Sequence, residues 1–308
     1  MENLKLNVNI AGVSFKNPII AASGTFGFGV EYKEYIDLNH LGGISVTGLT
    51  LEPRKGNPPP RIAETPSGIL NSVGLQNPGV DYFIDSILPK LKQYDTNIIA
   101  NINGNTLDEY CHMATRLQQI DIDMLELNLS CPNVKQGGVS FGTDPEMVYS
   151  ITKAVKEHSH QPLIVKLTPN VTDITEIAIA AQKGGGDAIS LVNTFLGMAI
   201  DVKTRRPVLG NITGGLSGPA IKPLALRMVW QVSRAVEIPI IGMGGIMTGE
   251  DVVEFLLAGA TAVSIGTANL VTPDSMVKIL YDFKTYMHNN KVSSIDELIG
   301  GLIVKMPT

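Results

Sequence analysis

The amino-acid sequence predicts an α/β protein, a single-domain (β/α)8 barrel spanning residues 1–308. Three observations carry that prediction. Short β-rich runs alternate with stretches of helical periodicity, so that strand, loop and helix follow one another along the chain. The runs number eight, which favours a closed barrel over an open doubly wound sheet of roughly five to seven strands. The 308 residues, 44% of them hydrophobic, are enough for one large core, and no linker or internal repeat divides them.

The elements follow in order. A hairpin-like start, "LKLNVNIAGVSFKNP", precedes the candidate strands "IIAAS" (19–23), "GISVT" (43–47), "IIANI" (98–102), "MLELN" (124–128), "LIVKL" (163–167), "AISLV" (188–192), "IPIIG" (238–242) and "AVSIG" (262–266). Helical patterns lie between them at 108–119, 144–158, 173–185, 221–236 and 250–260, several ending in the glycine that a left-handed C-cap requires. "SIDE" (294–297) has the spacing of a capping box opening the last helix. The longest irregular stretch, 51–79, follows the second strand and is dense in Pro, Gly and Asn. A loop of that length is uncommon unless it works or is disordered, and its place after a strand puts it on the C-terminal face, where this fold builds its sites.

Composition excludes some functions. A net charge of −5 gives no basic surplus to attract nucleic acid or anionic lipid. "MENLKLNVNI" lacks the profile of a signal peptide, and no apolar run approaches the roughly 20 residues of a spanning helix, so a cytoplasmic protein without membrane contact is expected. Two cysteines, Cys111 and Cys131, cannot make a cysteine-rich zinc site, and no metal is expected.

Polar residues stand where strands should be apolar. In "MLELNLS", Leu125, Leu127 and Leu129 share one face and Glu126, Asn128 and Ser130 the other. The outward face of a barrel strand packs on helices, so the polar set is expected to point inward, where a charge must be paired or used. Lys166 in the fifth strand, Asn101 in the third and "VNT" (192–194) after the sixth extend the pattern. One reading is that Glu126 and Lys166 pair with each other inside the barrel. The other is a polar planar ligand with many donors and acceptors, such as a flavin or a pyrimidine. Three glycine clusters, "GGLSGPA" (214–220), "GMGGIMTGED" (242–251) and "IGTAN" (265–269), come in the order expected of a phosphate site built by the last loops of this fold. Tight turns would use glycine too. None of the five histidines is placed to serve a nucleophile, and Cys111 falls within a helical pattern, where packing against the barrel explains it. Cys131 lies in a loop just past a strand end; it is either a small buried residue or a general acid/base.

With these residues in hand, the chain resembles the dihydroorotate dehydrogenases, flavoenzymes that oxidise dihydroorotate to orotate in pyrimidine synthesis. The resemblance spans nearly the whole length. It rests on "AASGTFGFG", "LEPRKGNPPPRIAET", "NSVGLQNPG", "ANINGNT", "ELNLSCPN", "IVKLTPN", "LVNT", "GGLSGPA", "GMGGI" and "IGTA", in that order. The cysteine of "NLSCPN" is similar to the soluble class, and "LEPRKGNPPPRIAET" to the branch (class 1B) that works with an iron–sulfur flavoprotein subunit carrying FAD and passes electrons to NAD, more than to the fumarate-using branch. The resemblance implies FMN across the barrel mouth, its phosphate on Gly218, Gly244, Gly245, Gly266 and Thr267, and its ring and ribityl chain among Ser23, Thr47, Gly48, Asn101, Asn128, Lys166 and Val192. It implies substrate contacts from Thr47, Asn71, Ser72, Val73, Gly74, Leu75, Asn128, Asn133, Asn193 and Thr194, and it implies that Cys131 takes the C5 proton while hydride leaves C6. It also implies a loop "CPNVKQGGVSFG" that closes with mobility from Gly137 and Gly138, and a homodimer core that becomes a heterotetramer with the electron-transfer subunit. One position departs: the family usually carries lysine at the end of strand two, where this sequence has Thr47, which can hydrogen-bond but brings no charge. An oxidoreductase of another dihydropyrimidine, such as dihydrouracil, and a non-catalytic barrel subunit are the alternatives.

Overall fold

The structure is a computed structural model that describes residues 4–129 and 141–304. Eight parallel strands close into a barrel: β1 (Ile19–Ala21), β2 (Gly43–Ser45), β3 (Asn97–Ile102), β4 (Met124–Asn128), β5 (Leu163–Lys166), β6 (Ala188–Leu191), β7 (Ile240–Met243) and β8 (Ala262–Ile265). Each strand pairs with its sequence neighbours, and β8 pairs back onto β1 to remove the last edge. The register is fixed by burial. Leu125 and Leu127 are buried beneath the helical layer, while Glu126 lies beside Asn101 of β3 and Asn128 beside Lys166 of β5.

Four of the described helices form where the sequence gives both a cap and an apolar stripe. Thr106, Asp144, Asp173 and Thr248 each accept a backbone N–H in the first turn of the helices Leu107–Leu117, Pro145–Glu157, Ile174–Lys183 and Gly249–Leu257. In the first of these, Tyr110, Met113, Ala114 and Leu117 are the buried face, at the spacing of one helix side. Leu117 has no exposed surface, so truncation to alanine costs about 2–5 kcal/mol. At the other end of the barrel, the hairpin of Val8–Ile10 and Val13–Phe15 seats Phe15 against Gly43, where a β-carbon would lie 2.8 Å from its ring.

Some expectations need correction. Residues 51–79 are not irregular throughout. Ile62–Thr65 and Gly68–Asn71 form a hairpin whose second strand pairs with Thr213–Ser217, and that strand pairs with Phe195–Met198. A four-stranded antiparallel sheet is thus built from excursions after β2 and β6. "SIDE" does form a capping box, with Ser294 and Glu297 satisfying each other's backbone, but it opens a single 3₁₀ turn. The last long helix is Ser275–Asn289. Cys111 is half-buried rather than packed away; burial, with Asp108 and Glu157 nearby, pushes its thiol up. No described helix is long and apolar enough to cross a membrane.

Candidate active site

The C-terminal ends of all eight strands open into one cavity of about 740 Å³. Its floor comes from the strands themselves. Ser23, Asn101, Asn128, Lys166, Val192 and Ser264 reach it from six of them or from the residues just beyond. Its walls are the loops that follow: Thr47 and Gly48 after β2, Asn193 and Thr194 after β6, Gly244 and Gly245 after β7, Gly266 and Thr267 after β8. The hairpin excursion adds Asn71, Ser72, Val73, Gly74 and Leu75, and Gly218 completes the rim. Every predicted site residue that is described therefore lines this one cavity. Cys131, Asn133, Gly137 and Gly138 lie outside the described residues, as does Ser130.

Lys166 is the only ionisable side chain among the described residues that line the cavity. It is 4% exposed, donates no hydrogen bond to any described residue, and has no carboxylate oxygen within 4 Å. Of the two readings, the Glu126–Lys166 ion pair is therefore not the one formed. A buried ammonium without a partner is costly unless a ligand supplies acceptors. Glu126 is instead satisfied below the cavity. Its Oε2 accepts from Ser45 Oγ and Asn101 Nδ2, each at 2.6 Å, and its Oε1 from Ser190 Oγ at 2.7 Å. Burial opposes ionisation of this carboxyl, but the Lys166 charge and the three hydrogen bonds outweigh it and hold the group below the usual carboxylate range.

The glycine-lined wall has two kinds of glycine. Gly245 has φ +76°, and a β-carbon there would stand 2.8 Å from the Gly218 carbonyl, so backbone geometry alone demands it. Gly266 is different. Its backbone is not left-handed, and a β-carbon would meet only Ala22 and Thr25, at an ordinary 3.7 Å. Nothing among the described residues requires a glycine at that position, whereas a ligand pressed against its backbone would. Beside it Thr267 Oγ1 donates to Ser217 Oγ at 2.9 Å, and the chain enters the short helix Ala268–Val271. On the opposite wall Leu75 has φ +55°, a strained conformation for a bulky residue, and such strain gathers at ligand sites.

Thr47 spends its hydroxyl on the protein, donating to the Gly27 carbonyl at 2.8 Å. Sequence reasoning missed several lining residues, among them Thr25, Asn57, Thr168, Asn170 and Ser217. Asn170 sits in the "LTPN" motif, and its Nδ2 donates to the Thr194 carbonyl at 3.0 Å, fixing the strand-six loop. Asn57 follows the glycine of "RKGNPPPR" and donates to Ser72 Oγ at 2.8 Å. Amides beside Gly or Pro in a loop of this face were the available signal.

A closed barrel with a cavity across its C-terminal mouth, lined by amides and hydroxyls together with apolar side chains, defines an enzyme of the (β/α)8 class. The particular kind follows from comparison with known proteins. A family model described as dihydroorotate dehydrogenase matches residues 5–287. The dihydroorotate dehydrogenase B (NAD(+)) catalytic subunit of Alkaliphilus metalliredigens is 60% identical over 302 residues, covering 98% of this chain and 100% of its own. The protein of the same name from Alkaliphilus oremlandii is 59% identical with the same coverage. A crystal structure of a dihydroorotate dehydrogenase from Eimeria tenella in complex with ferulenol superposes with a TM-score of 0.79 at 24% identity, covering 96% of this chain and 88% of that one, which is a likeness of fold. The chain belongs to the dihydroorotate dehydrogenase family.

Proposed function

We propose that this chain oxidises dihydroorotate to orotate in pyrimidine biosynthesis, with FMN bound across the barrel mouth. The observation that carries the reading is Lys166, a buried ammonium with no hydrogen bond or ion pair to any described residue, facing a cavity lined otherwise by amides, hydroxyls, glycines and apolar side chains such as Val192, Met243 and Ile246. The donor set suits the cofactor. Gly218, Gly244, Gly245, Gly266 and Thr267 offer backbone N–H groups to a phosphate where this fold usually binds one, and the space at Gly266 is room such a group would use. Ser23, Thr47, Gly48, Asn101, Asn128 and Val192 would surround the ring and ribityl chain.

Bound FMN supplies the two-electron acceptor that no side chain here can supply. Lys166, a buried and pre-positioned cation, would stabilise the negative charge that the ring gains on reduction. Asn71, Asn128, Asn193 and Thr194 match the donors and acceptors of the substrate ring, joined by the backbone of 72–75 and by Asn133. No second cation lines the described part of the cavity, so hydrogen bonds from these groups would hold the substrate carboxylate. Cys131 would remove the proton from C5.

The relatives' names, which call them catalytic subunits of an NAD(+)-linked form, support a partner subunit for this chain; that the partner carries an iron–sulfur cluster and FAD, in a heterotetramer around a homodimer core, is part of the proposal. An interface has a candidate surface. Leu196 and Met198 on the edge strand Phe195–Met198, Ile200 on the short strand that follows and Val202 in the turn beyond it are between 48% and 82% exposed, and exposed apolar side chains clustered in one segment favour burial against another chain. The test of the function is the anaerobic absorption spectrum of the FMN-loaded protein. Dihydroorotate should bleach the oxidised flavin band and dihydrouracil should not; a band unchanged by dihydroorotate refutes the reading.

A further inference from the structure

Glu126 is the one buried carboxylate among the described residues of the barrel interior, and the mechanism above does not use it. It does not line the cavity, yet two of its neighbours do. Asn101, which donates to its Oε2, faces the cavity, as does Lys166, whose charge acts on it across the β4–β5 ladder. Asn101 is itself held from behind, its Oδ1 accepting from Asn103 Nδ2 at 2.9 Å. With Ser45 on β2, Asn101 on β3 and Ser190 on β6, the carboxylate ties four strands together at the cavity floor. An uncharged hydrogen-bonded group could tie them as well. What an ionised carboxylate adds is a negative charge close beneath the only cation of the described cavity lining, in surroundings that screen poorly.

We propose that Glu126 is a positioning residue that sets the reduction potential of the bound isoalloxazine, by offsetting the Lys166 ammonium and by holding the Asn101 amide in one orientation at the cavity floor. The inference rests on the flavin reading given above. Reduction brings negative charge to the ring beside Lys166. The Glu126 charge opposes that gain, so the wild-type flavin is harder to reduce than Lys166 alone would make it.

The experiment is a spectroelectrochemical measurement of the FMN midpoint potential in the wild-type protein, Glu126→Gln and Ser190→Ala. Glutamine keeps the size and can exchange hydrogen bonds with the two serine hydroxyls, so the variant removes mainly charge. Its potential should rise by at least a tenfold change in the oxidised-to-reduced ratio, about 30 mV for a two-electron couple. Ser190→Ala removes a hydroxyl dipole that screens the carboxylate, and its potential should move the other way. A purely structural role would weaken folding and FMN binding without moving either potential, and unchanged potentials overturn the proposal. If Glu126→Gln does not fold, Ser190→Ala decides: a downward shift supports the proposal and an unchanged value overturns it. Failure of the flavin reading has its own signature, a wild-type protein that takes up no FMN, and that outcome overturns both. A wild-type flavin that dihydroorotate bleaches, with potentials equal in all three proteins, overturns the role of Glu126 alone.

Discussion

Substituting alanine for Gly266 separates what the fold requires from what a ligand requires. The backbone at Gly266 is acceptable to any L-residue, and the new methyl would make ordinary 3.7 Å contacts with Ala22 and Thr25. In the cofactor-free protein the change should therefore be neutral or stabilising, by up to about 1 kcal/mol through the unfolded chain. For a chain of 308 residues, an unfolding entropy of about 2.1 cal/mol/K per residue makes that a rise of roughly 1.5 °C in Tm or less. The same methyl would stand where the phosphate is expected to approach the backbone. Losing one charge-assisted hydrogen bond costs about 1.5–3 kcal/mol, so FMN affinity should fall roughly 10- to 150-fold. Gly245→Ala should behave oppositely in the cofactor-free state, because its methyl meets a carbonyl at 2.8 Å on a left-handed backbone, and it should lose about 1–3 kcal/mol of stability before any ligand is added. Differential scanning calorimetry of the two cofactor-free variants, with fluorescence titration of FMN, reads both quantities. A Gly266→Ala protein that binds FMN within twofold of wild type would show that the glycine is not reserved for the phosphate, and the cradle would then have to be drawn elsewhere.

Other outcomes follow from particular contacts. Cys131→Ala should retain FMN and lose about 10²- to 10⁴-fold in turnover near neutral pH, the usual contribution of a general base; stopped-flow flavin reduction measures it, and an unchanged rate removes Cys131 from that role. Burial works against ionisation of Asp251, but donation from Lys222 Nζ and from the Met247 and Thr248 amides holds its carboxyl below the usual range. Its stabilisation is thus present above the unfolded-state pKa and disappears as pH falls through the lower folded value. Asp251→Asn should cost about 1 kcal/mol near neutral pH and flatten the acid limb of a denaturation series, whereas an acid limb equal to wild type would contradict the assignment. Ile200→Asp with Val202→Asp should halve the particle mass in light scattering if this exposed segment joins two copies, and an unchanged mass would show that it does not.

The barrel was legible because each of its strands is a short apolar run with a polar break, and the boundaries moved only where local chemistry intervened. The seventh strand begins at Ile240 rather than 238. Pro239 has no N–H to give, although its carbonyl still accepts from Ile189. The second ends at Ser45 because Thr47 turns its N–H and hydroxyl to Gly27. Inward-facing Glu126, Asn128 and Lys166 were legible from period-two alternation, but their partners were not: Ser45 and Ser190 look like ordinary strand serines until the barrel closes and points both at one carboxylate. The sheet over the mouth was the larger omission. "IAET" and "GILN" are brief and interrupted by Pro and Gly, and what makes them strands is pairing with Thr213–Ser217, far along the chain. Local pattern cannot carry that information.

That sheet also bears on when the site comes into being. Leu70 meets Leu216 only after the chain between them has been laid down as four barrel strands and their helices. Closing so long a loop is slow and has little to gain until the intervening strands are in register. The barrel staves should therefore assemble first and the canopy last, so that a nascent or refolding chain passes through a state with a formed scaffold and an open, unfinished mouth. In such a state Lys166 and its neighbouring amides would already stand in place while the wall of residues 71–75 was still missing, and a small phosphate-bearing ring could enter before the canopy settled over it.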